Sequence, residues 1–457
     1  MSNNTTAQGV LFKEMGDRPV VVRFDQEHSS SDGGALLLKA LDKQLGLSSA
    51  LSACLRDGRQ ACKVEHDLQA LLRQRLFGMA CGYADGNDAA GLADDPIHKM
   101  LMDRDPLSGR SLASQPTLSR FENAVGPKEL LRLSEALADT VIRRHRQRTR
   151  RVRRITLDFD PTHDPTHGQQ QLSLFNGVYD TRCYLPLAGF VRFDDEAEHY
   201  LVAYVLRGGK APAKQGLLGV LDRLLPKLRA AFPKARIRIR LDAGFAGSEL
   251  YDAFEAHQLE YVVCMAKNPV LQRAAEPLLE PLRKAVADGE EPQATFSECP
   301  YRARSWKRPR RVIIKAGIAL HPGRKPKDNP RFLVTNLKGD PQCIYEQIYC
   351  ARGDAENRIK ELKDGLQIDR TSCTSFRANQ FRVLLTAAAY VLMQELRLQA
   401  RHTSCAKAQV STLRLRLLKL GAWVERSVRR VVIHLPMHTP HADTWQRIAR
   451  SVGAVPT

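Results

Sequence analysis

The sequence predicts a multidomain α/β protein, and three observations support this fold class. The chain has 457 residues, 43% of them apolar, which is too long for one ordinary domain and sufficient for a sizeable core. Leucines recur at helical spacing through residues 35–150, for example at Leu37, Leu38 and Leu41. From residue 152 the period becomes that of strands, and the elements follow the order β-β-β-α-β-α-β, which is typical of α/β domains.

The helical N-terminal region contains one short segment of special interest, Ser114–Glu122. We predict a helix there with Thr117 as its cap, because a threonine hydroxyl can accept a hydrogen bond from an unpaired backbone N–H. Arg120 lies on this helix. Two interpretations stay open: the helix presents Arg120 to DNA, or Arg120 is a solvated side chain of a helix bundle.

The α/β part can be divided into elements by the same periodicities. We predict strands over 152–159, 184–193 and 200–207, a helix over 217–228, a strand over 236–241, a helix over 250–257 and a strand over 261–266. Residues 268–345 contain proline-rich turns and strand-like pieces, so we interpret them as a β-rich insertion. Helices are expected to resume at about 350–364 and 376–399, followed by a basic, mixed C-terminal region.

The charge of the chain indicates its class of partner. The formal net charge is +20, and nucleic acid is the commonest partner of so basic a protein because its phosphates attract lysine and arginine. Residues 143–154 are almost all basic and directly precede the first strand of the α/β part. We interpret this run as a phosphate contact, although a solvated charged segment is the alternative.

Other classes of protein are disfavoured by the composition. The ten cysteines include no C-x-x-C pair, which argues against a zinc ribbon and against a disulfide framework. The sequence has no apolar run long enough to span a membrane and no secretory signal at its start. A cytoplasmic protein without membrane contact is therefore expected.

Acidic residues lie at the ends of two predicted strands. Asp158 and Asp160 lie near the end of the first strand, on the same face because side chains alternate. Asp242 follows another strand and precedes the turn residue Gly244. A further acid, Glu356, lies on a predicted helix.

That helix carries a regularly spaced set of polar side chains. Tyr349, Arg352, Glu356 and Lys363 are separated by steps of three, four and seven residues, which place them on one helical face. Carboxylates from separate segments suit Mg²⁺, which prefers oxygen ligands. Two such ions, roughly 3.5–4 Å apart, can activate a nucleophile and stabilise the leaving oxygen in phosphodiester transfer.

These motifs resemble those of bacterial insertion-sequence transposases of the DDE superfamily. Tyr349, Arg352, Glu356 and Lys363 match the Tyr-(2)-Arg-(3)-Glu-(6)-Lys signature of one large branch. The run from Asp158 to Gln170 resembles the first motif of a sub-branch, Asp-x-Asp-x-Thr-x-Asp-x-x-His-Gly-Gln-Gln. The likeness spans most of the chain. It implies a ribonuclease-H-like catalytic core that is interrupted by a β-rich insertion.

The resemblance also implies roles for individual residues. Asp160, Asp242 and Glu356 would be the catalytic, metal-binding triad for Mg²⁺, with Mn²⁺ able to substitute, and Asp158 is the alternative to Asp160. Tyr349, Arg352 and Lys363 would contact DNA near the cleaved end. Trp306 would stack on a displaced base, since related enzymes use a tryptophan there, or it is simply structural.

The implied organisation has five parts. They are a helical DNA-binding region (1–150), the first part of the catalytic core (151–267), the β-rich insertion (268–345), the rest of the core (346–400) and a basic C-terminal region (401–457). The implied function is Mg²⁺-dependent excision and integration of an insertion sequence. The expected partners are terminal inverted repeats and target DNA, bound by a homodimer at the nucleoid of a bacterial cytoplasm.

Two other functions stay open. A nuclease of the same fold would hydrolyse DNA without joining it to a target. A regulator derived from a transposase would bind DNA without cutting it. The presence of all three acids counts against the regulator.

Overall fold

The computed structural model describes residues 10–12, 17–291 and 293–455. Its N-terminal part is helical over most of its length, as the periodicity predicts. The elements are β1 (Val10–Phe12), β2 (Val20–Val22), β3 (Ser29–Ser30), α1 (Leu36–Leu45), α2 (Leu47–Ser52), α3 (Leu68–Cys81), α4 (Gly86–Gly91), α5 (Pro96–Leu101), α6 (Gln115–Ala124) and α7 (Pro127–Arg148).

The start of α6 differs from the prediction. Ser114 has an extended backbone and precedes the helix, whereas Thr117 lies inside the first turn. The prediction of Thr117 as the cap was therefore wrong. Pro116 explains the earlier start, because proline has a backbone angle suited to the first turn of a helix and lacks the N–H that would be unpaired there.

The middle of the chain forms the α/β part. Its elements are β4 (Arg154–Pro161), β5 (Asp164–Pro165), β6 (Leu174–Asn176), β7 (Thr181–Tyr184), β8 (Leu187–Phe193), β9 (Tyr200–Val205), α8 (Leu217–Ala231), β10 (Arg236–Leu241), α9 (Ser248–Ala256), β11 (Glu260–Met265), α10 (Pro269–Ala287), β12 (Thr295–Tyr301), β13 (Arg310–Ala316), β14 (Ile318–Ala319), β15 (Lys327–Asp328) and β16 (Arg331–Thr335).

Eight of these strands form one sheet in the order β12-β13-β16-β11-β10-β4-β8-β9. The strand β4 lies inside it, antiparallel to β8 and parallel to β10. The strand β10 is in turn parallel to β11. The β-β-β-α-β-α-β order read from the sequence is thus present as β4, β8, β9, α8, β10, α9 and β11, with the short strands β5 to β7 inserted after β4.

The segment 268–345 is less β-rich than expected. It opens with the 19-residue helix α10, and Pro277 and Pro281 lie inside that helix. Reading the prolines as turns was wrong here. The apolar side chains of Leu271, Ala275 and Leu279 recur at helical spacing and are buried, and this burial outweighs the hydrogen bonds that the prolines remove. The strands β16, β13 and β12 then extend the central sheet beyond β11.

The rest of the chain is mostly helical and returns to the N-terminal part. Its elements are α11 (Pro341–Cys343), a π-helical turn (Ile344–Tyr349), a 3-10 turn (Cys350–Arg352), α12 (Gly353–Leu366), α13 (Phe376–Gln399), α14 (Val410–Leu413), a second π-helical turn (Arg414–Leu418), β17 (Ala422–Arg426), β18 (Val431–His434) and α15 (Ala442–Ser451).

The helix α13 connects the N-terminal helices with the central sheet. It is buried along most of its length and contacts α1, α3 and α7 on one side and β9 on another. One hydrophobic cluster therefore runs from the N-terminal helices through α13 to the sheet. No helix in the described part of the chain is long and apolar enough to cross a membrane.

Candidate active site

The first two acids of the candidate site lie on β4 but have different surroundings. Asp158 is buried, and both of its oxygens accept hydrogen bonds from Arg240 on the adjacent strand β10, Nε at 2.8 Å and Nη2 at 2.6 Å. Such a two-pronged arginine–carboxylate pair occupies the whole carboxylate. Asp158 is thus held inside the sheet by a protein cation.

Asp160 lies two residues further along, near the C-terminal end of β4, at the edge of the sheet that the ends of its strands form. Its Oδ2 accepts a hydrogen bond from Arg352 Nη1 at 3.0 Å. Burial raises the pKa of Asp160 to about 6, and the Arg352 guanidinium opposes this shift. The negative charges of Asp242 and Glu356 also raise the pKa, so Asp160 lies close enough to both other predicted acids to be affected by their charges.

Asp242 reaches this place because β10 runs parallel to β4, so both strands end at the same edge of the sheet. The residue follows β10 directly and begins a short 3-10 turn, Ala243–Phe245. One of its oxygens accepts a hydrogen bond from the backbone N–H of Gly244 at 3.0 Å. The turn thus fixes the backbone after Asp242.

Glu356 lies in the first turn of α12, a helix that contacts β4. Its carboxylate is exposed and accepts a hydrogen bond from Arg352 Nη2. The guanidinium of Arg352 therefore bridges Glu356 and Asp160. Two of the three carboxylates thus share this bridging cation.

The other two signature residues flank this bridge. Tyr349 is partly buried beside Tyr345, with ring centroids 5.8 Å apart, and burial raises its pKa above the ordinary value. Lys363 donates a hydrogen bond to the backbone carbonyl of His163, in the segment that follows β4. The four signature residues do not lie on one regular helix: Tyr349 ends the π-helical turn, Arg352 ends the 3-10 turn, and Glu356 and Lys363 lie in α12.

Almost the whole chain matches one known protein family. A family model described as "Transposase DDE domain group 1" matches residues 12–457. The chain belongs to this family. A comparison with curated proteins finds no match. Among solved structures, the chain is similar to a piggyBac transposase in a synaptic complex with hairpin DNA, with a TM-score of 0.40 and 12% identity over 79% of this chain and 74% of that chain.

Trp306 of this transposase-family chain is buried, with 5% of its surface exposed. Its ring packs edge-on against Tyr251 and Tyr301, at centroid distances of 5.3 and 5.4 Å. The Arg310 guanidinium lies over the same ring at 5.5 Å. This packing favours the structural interpretation of Trp306, because little of the ring surface is left open to a base.

Arg120 is not brought to the carboxylates. It is exposed on α6, in the N-terminal helical part, and its guanidinium contacts the Thr117 hydroxyl at 3.4 Å. The basic run 143–154 also lies away from the acids. It enters β4 at the strand end opposite to Asp160, which places the two on the order of 20 Å apart. Any phosphates that this run contacts are distant from the three acids.

Two residues in or near this edge had no role predicted from the sequence. Arg240 is the partner of Asp158, and the alternation of basic and aliphatic residues in β10 was its only signal. Asp164 is fully buried, accepts a hydrogen bond from the Thr371 hydroxyl at 3.0 Å, and has its pKa raised by burial to about 8. The first motif of the sequence contains Asp164, but nothing in its spacing indicates burial.

A different cluster has the closest set of possible metal ligands in the described part of the chain. Ligand atoms of Asp32, Cys81 and His98 lie within 4.8 Å of one another. However, Asp32 already accepts from the Tyr83 hydroxyl at 2.9 Å and lies 2.7 Å from the Lys419 ammonium. The carboxylate is thus neutralised by a protein cation, and we interpret the cluster as a polar link between the N-terminal and C-terminal parts.

Proposed function

We propose that the chain is the transposase of an insertion sequence, which binds the terminal inverted repeats and excises and integrates the element by Mg²⁺-dependent hydrolysis and strand transfer. One observation carries this proposal. Three acids from separate segments, Asp160, Asp242 and Glu356, come together where the parallel strands β4 and β10 end and α12 contacts β4, and Arg352 joins Asp160 to Glu356. Membership of a DDE transposase family supports the same class of reaction.

We further propose that the catalytic core is ribonuclease-H-like. The part of the sheet from β9 to β11 supports this, because three antiparallel strands are followed by two parallel ones that are connected through helices. The segment from α10 to β16 would be the insertion, and the N-terminal helices with Arg120 would bind the terminal repeat. Excision requires two ends to be brought together, so we propose a homodimer in the DNA complex.

The donor set fits a hard divalent cation. Asp160, Asp242 and Glu356 offer carboxylate oxygens, the ligands that Mg²⁺ prefers, and Arg352 pairs with only two of them, Asp160 and Glu356. We propose that these three acids hold Mg²⁺, or Mn²⁺ in its place. When bound, the metal would polarise the scissile phosphate and lower the pKa of an attacking water.

The surrounding side chains would position the DNA. Arg352 has a planar fork that suits phosphate as well as carboxylate, and it already holds Asp160 and Glu356 in fixed orientations. Lys363 fixes the backbone after β4 through the carbonyl of His163 and brings a positive charge to the segment that follows Asp160. Tyr349 supports this side of the site with a ring and a hydroxyl.

The experiment that tests the proposal uses a labelled duplex that carries the element's own end, incubated with the full chain and Mg²⁺ or with EDTA. We expect cleavage at the end with Mg²⁺ alone, and its loss in Asp160→Asn, Asp242→Asn and Glu356→Gln. Transfer of the freed end to a supercoiled plasmid distinguishes a transposase from a nuclease. Binding without cleavage under every metal condition would overturn the proposal in favour of a DNA-binding regulator.

A further inference from the structure

A hairpin next to the candidate active site exposes a set of large apolar side chains. It consists of β6 and β7 with the connecting turn Gly177–Asp180. The exposed fraction is 50% for Phe175, 87% for Val178 and 45% for Tyr179. An exposed group of this kind on a soluble protein commonly marks an interaction surface.

The hairpin is attached directly to the segment that carries the first acid. The strand β5 follows Asp160 by four residues and pairs with β7. The His163 ring stacks on Tyr179, with centroids 4.4 Å apart and an interplanar angle of 15°. Lys363 binds the carbonyl of the same histidine. The apolar tip therefore lies beside the edge of the sheet where the three acids meet.

The base of the hairpin is fixed, so the tip is held out into water. The Asn176 side chain donates a hydrogen bond to the carbonyl of Gly209 at 2.8 Å. A Cβ atom on Gly209 would lie 2.3 Å from the Cys183 carbonyl oxygen and 2.5 Å from that of Leu174, so only glycine permits this contact. The closely packed base thus holds the hairpin in place beside the sheet.

The charges around the hairpin indicate the chemistry of its partner. Arg182 on β7 and Lys210 beside Gly209 are exposed, and neither has an acidic partner within 4.0 Å in the described part of the chain. The hairpin itself contains one acid, Asp180. Aromatic and apolar groups flanked by unneutralised cations suit single-stranded nucleic acid, whose bases stack on rings while its phosphates attract the cations.

We propose that this hairpin stacks on bases that are unpaired at the DNA end, with Phe175 and Tyr179 as the stacking rings and Val178 as an apolar contact. The inference rests on the proposed function, because DNA must occupy the neighbouring site. It assigns to the hairpin the base contact that the sequence suggested for Trp306. Trp306 is enclosed by other rings, whereas half of the Phe175 surface is exposed and Tyr179, which stacks on His163, still exposes 45% of its surface.

The test measures binding of the full chain to two short duplexes of the same end sequence, one fully paired and one mismatched at its terminal pairs. EDTA prevents cleavage, and 2-aminopurine at the terminal position reports stacking through its fluorescence. We expect the wild type to bind the mismatched end more tightly by about tenfold or more. Phe175→Ala and Tyr179→Ala should lose this preference and the quenching, whereas Tyr179→Phe should retain both.

Phe24→Ala is the matched control, because Phe24 is another exposed phenylalanine, at 89%, that lies outside the hairpin. It should leave the preference unchanged. An unchanged preference in both hairpin alanine variants would overturn the inference. So would a hairpin-dependent change in the sedimentation of the DNA-free protein without any change in end preference, since the tip would then contact a second copy.

The two proposals can fail separately in these measurements. A wild type that cuts its end with Mg²⁺ but whose hairpin variants keep the end preference contradicts only the inference about the hairpin. A wild type that shows the hairpin-dependent preference but never cuts contradicts only the proposed function. Urea unfolding of each variant shows whether it is folded, and these exposed positions should change stability little.

Discussion

Asp158 and Asp160 are two residues apart on one strand, both contact an arginine, and yet their surroundings differ. The Asp158–Arg240 pair lies between neighbouring strands and is closed to water on both sides, with side-chain exposures of 1% and 3%. The Arg352 bridge to Asp160 lies at the edge of the sheet and extends to the exposed Glu356. Pairing with arginine alone therefore does not identify the candidate catalytic acid, and the two acids differ instead in burial and in neighbouring charge.

The largest expected effect comes from removing the charge at the edge. Asp160→Asn should lower the rate of end cleavage by more than about a thousandfold, as is common for residues that act as a unit at a reaction centre. Its free energy of unfolding should stay the same or rise, because burial and the charges of Asp242 and Glu356 disfavour an ionised Asp160. A cleavage assay and urea unfolding of the same preparation check both. Retained cleavage would contradict the assignment of Asp160 and move Asp158 to first place.

Changes in the buried Asp158–Arg240 pair should instead lower the free energy of unfolding. Asp158→Ala leaves the Arg240 guanidinium buried without its partner, which should cost about 3–5 kcal/mol of unfolding free energy. Urea unfolding measures this loss. The double variant Asp158→Leu with Arg240→Met should recover much of the stability, because apolar side chains can replace a buried ion pair. If the double variant is as unstable as Asp158→Ala, the loss does not come from an unpaired charge.

Arg352→Lys tests whether the arginine at the edge of the sheet differs in role from the buried Arg240. Lysine keeps the charge but loses the fork that contacts Asp160 and Glu356 together. We expect cleavage to fall by about a hundredfold, in the range found when one oriented donor is removed, with little change in unfolding free energy. If the free energy of unfolding falls together with the cleavage rate, Arg352 is structural, like Arg240.

Asp164 is a buried acid of another kind, because its carboxylate is hydrogen-bonded to the Thr371 hydroxyl and not to an arginine. Burial raises its pKa to about 8, whereas an unfolded aspartate titrates near about 3.9. Between these values the folded state binds one proton more than the unfolded chain, so this residue makes stability fall as the pH rises. Asp164→Asn should flatten the stability profile over this window, by at most about 1.4 kcal/mol per pH unit. Urea unfolding at a series of pH values tests this, and parallel profiles would contradict it.

The local elements were predictable from the sequence where one periodicity dominates. The strand β10 has the bounds expected from its alternation, and α13 those expected from its apolar run. The gathering of the three acids was also predictable, because strand ends and a helical signature identify them. The assignment of their catalytic roles stays a prediction.

The partners across the sheet were not predictable, because they depend on strand order. Nothing in the sequence near Asp158 shows that β10 is its neighbour, so the role of Arg240 emerges only in three dimensions. The helix α10 was missed because prolines are local signals, whereas the burial of its apolar face is a tertiary effect. The enclosure of Trp306 and the exposure of Phe175 are tertiary effects of the same kind.

The Arg352 bridge has a consequence for the time at which the protein becomes active. Arg352 and Asp160 are separated by 192 residues along the chain, and ribosomes add roughly 5–20 residues per second. On the order of ten seconds or more of synthesis thus passes between the first acid and the segment that completes its edge. A nascent chain that ends before residue 353 lacks both Glu356 and α13, so neither the complete set of acids nor the core that α13 shares with α1, α3 and α7 can form on it.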